Sequence, residues 1–162
     1  MTGRESPEAA GFEPATGAET VPVAGTPERA AAVRDAFEAL LRIRDVVNSG
    51  AGDPRATPAE WEWMRMVRAV ALALEAAGVP PSALDERGQR TATGYCVTAG
   101  DHPRVVRVEW PGPRGSGAAH EAERALHGCA RVLGELGWVV LEYRGRGGRR
   151  YLEVEAPSTI RR

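Results

Sequence analysis

Between residues 104 and 155 an apolar strand pattern, a glycine-rich loop, an amphipathic helix and a glycine-centred hairpin follow one another, and that order leaves few folds open. Residues 104–110 read as a strand, with a shorter strand over 95–98 and a turn over 99–103 before it. The loop 111–117 feeds a helix from about 118 to 136, whose buried face is marked by Ala122, Leu126, Cys129, Leu133 and Leu136, and Gly137 ends it. The final strands flank Gly147 and Gly148. The expected unit is a β-β-α-β-β module over 89–157 with a small, mainly antiparallel sheet covered by one helix, so the fold class is α+β.

Alternation in the last hairpin gives a register. Val139, Leu141 and Tyr143 form one set and Leu152 and Val154 another, and matching the two as the inward face requires an even-length loop. A two-residue turn would set Glu142 opposite Glu153, whereas the loop 145–148 sets Glu142 opposite Tyr151 and keeps the carboxylates apart. The outward face then mixes Val105, Trp138, Val140 and Tyr151 with Arg107, Glu109 and Glu153.

Upstream, residues 26–88 predict an α-helical hairpin. Thr26-Pro27-Glu28 is a helix start, and Val33, Phe37, Leu40, Leu41 and Val47 share a face to about Asn48. Thr57-Pro58-Ala59-Glu60 reads as a capping box opening a second helix to about Ala77, stopped by Gly78 and Pro80-Pro81. That helix carries two adjacent apolar stripes, one with Trp61 and Met64 and one with Trp63 and Met66, more than a single partner helix covers. The partly apolar outward sheet face is the nearest surface for it. Ser82 to Gly88 suggests one helical turn, and 89–93 a linker. Residues 1–25 are poor in large apolar side chains and predict a disordered acidic tail, and 158–162 a basic C-terminal tail.

All 21 basic residues are arginine, which removes lysine-amine chemistry and the Walker phosphate loop and points to a GC-rich coding sequence. The net charge of −1 divides into −3 over residues 1–25, −2 over 26–88 and +4 over 89–162, so only the last segment attracts polyanions by its overall charge. Two cysteines are too few for a secreted disulfide framework. The first residues lack the regions of a signal peptide, and no segment reads as a membrane span. The expected location is the cytoplasm.

Three residue sets are candidate sites. Gly112, Arg114, Gly115, Ser116 and Gly117 lie between a strand and a helix start, where backbone N–H groups converge on a phosphate. Gly115 and Gly117 resemble the two glycines of the acyl-CoA pyrophosphate loop of GNAT-type acetyltransferases. In that family an Arg or Gln stands three residues before the first glycine. Here that position is Gly112, and a hairpin follows, so the activity is not carried over. Arg144, Arg146, Arg149 and Arg150 on a hairpin tip suit a nucleic-acid backbone, although the parity above turns Tyr143 inward and leaves Tyr151 as the only stacking ring. Trp61, Trp63, Met64 and Met66 suit an interface.

His120, Glu123 and His127 share a helix, but the histidines stand about 10 Å apart, too far for one metal ion. Cys96 and Cys129 read as small core residues. No metal or cofactor is assigned, and no nucleophile, base or carboxylate pair stands at recognisable spacing. The resulting expectation is a small non-enzymatic interaction protein, binding itself as a homodimer or another protein through the helical hairpin. The alternatives are nucleic-acid binding through the Arg-rich hairpin, or an enzyme holding a nucleotide or CoA at the glycine loop.

Overall fold

The computed structural model describes residues 12–21, 23 and 25–158. Residues 1–11, 22 and 24 of the expected tail, and 159–162 at the C-terminus, lie outside the described residues. The fold is α+β. Helix α1 (Pro27–Val47) leads through a 3-10 turn (Pro54–Ala56) to α2 (Glu60–Met64) and α3 (Met66–Ala76). Strands β1 (Ala83–Leu84), β2 (Arg90–Ala92), β3 (Cys96–Ala99) and β4 (Val105–Glu109) follow, then α4 (Ala118–Glu135), β5 (Val139–Arg144) and β6 (Arg150–Glu155).

Helix α1 starts where its sequence says: Thr26 Oγ1 accepts from Arg29 N at 3.1 Å, and Pro27 opens the first turn. The second helix departs from expectation twice. It begins at Glu60, with Glu62 Oε2 accepting from Ala59 N at 2.7 Å, while Thr57 Oγ1 turns back to Asp53 O. It then breaks at Arg65, where φ is −137° and ψ is 52°. Glu62 and Met66 stand four apart and would share one face of a continuous helix. The break sends Glu62 to Arg44 and Met66 into the apolar core.

Strands β1 and β2 pair with each other where a helical turn and a linker were expected, so this pairing joins the two segments on either side of residue 88. The main sheet is antiparallel in the order β3-β4-β6-β5. Its inward residues Val97, Val106, Val108, Leu152 and Val154 form one core with Ala69, Val70 and Leu74 of α3 and Leu126, Cys129 and Leu133 of α4. Helix α3 therefore lies beside α4 on the same face, where the sequence reading placed it on the opposite one.

The hairpin register is also corrected. Tyr143 faces Tyr151, Glu142 faces Leu152 and Arg144 faces Arg150, across a five-residue connection, 145–149. Trp138 decides this parity. It is buried against the helices, and Gly137 just before it runs so close to Ala56 that a Cβ would stand 2.0 Å from Ala56 O. With Trp138 and Val140 turned to the core, Val139, Leu141 and Tyr143 face outward.

The expected disorder does not extend to the described part of the tail, which runs along the β3 edge. Val97 N donates to Thr16 O at 2.7 Å, and Ala15 is buried. Polar contacts anchor the segment together with Phe12, which packs against Val33, Leu40 and Leu72, and buried Pro14 and Ala15.

Candidate functional site

The glycine loop and the arginine hairpin, separate in sequence, meet at one cavity of about 730 Å³. Gly112, Gly115 and Gly117 line one side, Gly147, Gly148, Arg149 and Arg150 the other, with Arg90, Glu109 and His120 between. Arg114, Ser116, Arg144 and Arg146 are exposed and lie off its lining. Local geometry accounts for the glycines. Gly115 and Gly117 have φ of 77° and 78°, and a Cβ on Gly112 would stand 2.4 Å from Thr93 Oγ1. Gly117 caps α4 without a side chain, and Ala118 N has only a 3.4 Å contact to Ser116 Oγ, so the positive end of the helix opens near the cavity. Arg90 donates to Gly17 O and Ser82 Oγ, and Arg150 lies 3.3 Å from Glu123. Arg149 has no ion-pair partner among the described residues.

Across the hairpin, Tyr143 and Tyr151 stack at 5.5 Å between centroids, and the Arg107 guanidinium sits 4.2 Å over the Tyr151 ring. Both rings are therefore outward, where one had been expected inward. Tyr151 is covered on both sides, by Tyr143 and by Arg107. Glu109, Glu153 and Glu155 share that sheet face, which confines the positive field to the hairpin tip and works against a nucleic-acid track.

The helical interface set is largely used up inside the fold. Met66 is 4 % exposed and belongs to the main core, Trp61 packs with Val33, Leu40 and Leu72, and Trp63 is half-buried with Arg104 5.5 Å over its ring. Met64 alone protrudes, at 84 % exposure. The break at Arg65 produces this division.

On α4, His120, Glu123 and His127 line one pocket, in which His127 Nδ1 lies 3.6 Å from Glu142 and Glu123 pairs with Arg150. Among the described residues no three His, Cys, Asp or Glu side chains come together as a metal site. Cys96 and Cys129 are free and buried. Burial pushes the Cys129 thiol up to about 11, and it raises the Cys96 thiol against the opposing effect of Arg90, so neither is poised as a thiolate nucleophile.

Two features escaped the sequence reading. One is the outer row of β5: Val139, Leu141 and Tyr143 are 40 %, 41 % and 41 % exposed on a terminal strand whose outer edge carries no partner strand among the described residues. The other is the segment 12–20 on the opposite edge. No described helix is long and apolar enough to cross a membrane. Comparison with family models, curated proteins and solved structures returned no match.

Proposed function

We propose that this chain is a non-enzymatic interaction module that pairs with a second copy of itself along the outer edge of β5. One observation carries the reading: a six-residue edge strand, without proline or bulge, holds an apolar outward row in the open. Monomeric proteins protect such an edge with charge, proline, a bulge or a covering segment, because bare N–H and C=O groups template further pairing. Among the described residues a covering segment lies along the other edge, while β5 has only the charges of Glu142 and Arg144.

Parity limits how two copies meet. A two-fold axis perpendicular to the sheet pairs residues of like parity, which keeps both sheets facing the same way. An axis through Glu142 sets two carboxylates face to face. An axis through Leu141 pairs Leu141 with its copy, Val139 with Tyr143 and Val140 with Glu142, and uses residues 139–143 as one ladder. The product is an eight-stranded sheet with a continuous apolar row across the dyad.

Light scattering at tens of micromolar tests this. The expected result is a dimer that Leu141→Arg converts to a monomer with unchanged circular dichroism, while Met64→Glu leaves it intact. A wild-type monomer, or a dimer lost with Met64→Glu and kept with Leu141→Arg, overturns the reading.

A second reading rests on the meeting of the two glycine–arginine segments at one ligand-sized cavity: the site takes a phosphate-bearing small molecule, with Arg149 and the start of α4 as the anion contacts. Calorimetric titration with ATP and with CoA at low salt is the test. Binding that falls at least tenfold in Arg149→Ala supports it, and the absence of heat with both ligands removes it.

A further inference from the structure

The segment 13–19 is held as a bound peptide would be. Glu13 O accepts from Arg29 Nη2 at 3.0 Å, Ala15 N donates to Glu75 Oε1 at 2.8 Å, and Ala15 O accepts from Tyr95 Oη at 2.6 Å. Thr16 O accepts from Val97 N, Gly17 O from Arg90 Nη1, and Glu19 O from Leu84 N at 3.0 Å. All six contacts are made by main-chain atoms of the segment, and their partners come from α1, α3, β1, β2, β3 and Tyr95 just before β3. Main-chain recognition beside a sheet edge is how strand-addition sites bind peptides whose side chains differ.

The receiving groups are also held in place by one another. Glu75 takes two hydrogen bonds from Arg29, at 2.8 Å each, and Arg90 reaches Ser82 Oγ at 3.2 Å and Cys96 Sγ at 3.6 Å. Ser82 Oγ in turn donates to Ala92 O at 2.7 Å. The groove's polar groups are thus preorganised by contacts within the body of the protein.

Side-chain contacts add selection: Pro14 is buried, Glu13 Oε1 accepts from Arg68 Nη1 at 2.9 Å, and three further positions are constrained. Ala15 is buried, so only a small residue fits there. A Cβ at position 17 would stand 2.1 Å from Tyr95 O, at a φ of 92°, so only glycine fits. Glu19 folds back to accept from Thr16 N at 2.6 Å and Gly17 N at 2.9 Å, which shapes the bound turn.

We infer that this groove is a peptide-binding site, filled in this structure by the chain's own residues 13–19 and able to take in trans a peptide that adopts the same turn and carries the same pattern: a small residue, glycine two positions on, glutamate two beyond. The inference does not depend on pairing at β5, which lies on the other sheet edge. Attachment through residues 20–25 gives the chain's own segment an effective concentration on the order of millimolar, so a free peptide competes poorly until that segment is displaced.

The test uses the full chain carrying Gly17→Val and a fluorescein-labelled peptide of residues 12–21, read by fluorescence anisotropy. The expected outcome is binding at least tenfold tighter to the variant than to the wild type, with a peptide carrying Gly17→Val failing to bind either. Ala15→Arg in the chain opens the groove in the same way. Hydrogen exchange of both variants is expected to show lost protection over 12–19 and β3, with α3 and β6 still protected. A folded variant that does not bind, equal binding to variant and wild type, or global unfolding of both variants overturns the inference, the last because it makes the segment an inseparable part of the core.

Discussion

At the β3 edge of the sheet, Val97 N meets Thr16 O, and the tyrosine hydroxyl of Tyr95 reaches over to Ala15 O. At the β5 edge, Val139, Leu141 and Tyr143 stand outward beside a ladder that ends. Both edges have the same need for hydrogen-bond partners. The first is covered by a segment whose few apolar groups, Phe12, Pro14 and Ala15, are joined by polar contacts that reach across the fold. The second bears the most apolar outward row of the sheet and has no partner strand among the described residues. Polar main-chain contacts here accompany a closed edge and apolar side chains an open one, which is why the two edges are assigned different partners: a peptide on one side, a second sheet on the other.

The largest expected effect falls on what the two edges share. Arg44 and Glu62 form a buried ion pair at 2.7 Å, and Arg44 Nη1 also donates to Arg55 O and Leu136 O, tying α1, the 3-10 turn, α2 and the end of α4 together. Arg44→Ala leaves Glu62 buried without its partner and is expected to cost about 3–5 kcal/mol in urea unfolding, with exchange rising at both edges alike. The double variant Arg44→Met with Glu62→Leu recovers only part of that stability, since it removes the desolvation penalty of both charges but leaves Ala59 N, Arg55 O and Leu136 O without these partners. A change confined to one edge would show that the sheet does not respond as one unit.

Tyr95→Phe separates the edges. It leaves Ala15 O without its donor and is expected to cost about 1–3 kcal/mol, with added exchange at residues 12–19 and β3 but none at β5. The counterpart is Tyr143→Ala, which removes the stacked pair and costs about 0.5–1.5 kcal/mol beyond the lost burial. Its exchange signature is confined to β5 and β6, and it weakens dimer formation in light scattering while leaving residues 12–19 protected. Crossed signatures in either variant would break the comparison.

What could be read in the sequence is what is decided locally. The Thr26 cap, the end of α1 near Asn48 and the stop of α4 at Gly137 depend on a few neighbouring residues and stand where their spacing puts them. The β5 parity depends on Trp138 entering a core built by α3 and α4, and on Gly137 passing Ala56, neither of which leaves a trace in the alternation of 139–143. The break at Arg65 follows from Glu62 and Met66 needing different surroundings, which a hydrophobic stripe does not record. At the candidate sites, the glycine loop and the hairpin were each visible, but their common cavity arises from the folding of α4 back over β6. The segment 12–20 was illegible for the same reason: Ala15 meets Glu75 and Tyr95, sixty and eighty residues away.

The smallest expected effect is a pH dependence at the β3 edge alone. Burial acts to raise the Glu19 carboxyl, but hydrogen bonds from Thr16 N, Thr16 Oγ1 and Gly17 N outweigh it and hold the group below its ordinary value near 4.5. Arg29 from α1, Tyr95 just before β3 and Cys96 from β3 feel its charge, and Arg90 from β2 stands against the neighbouring Gly17 O. A carboxyl depressed in the folded state contributes stability that is fully present above the unfolded value and is lost as pH falls through the folded one. Exchange protection over residues 12–19, corrected for intrinsic rates, is therefore expected to be flat above about pH 5 and to decline below 4.5, in advance of any change at β5. Glu19→Gln removes the titration and flattens the profile. A decline of the same size at both edges, or one that survives in Glu19→Gln, would place its origin in the common core and leave the β3 edge with no pH response of its own.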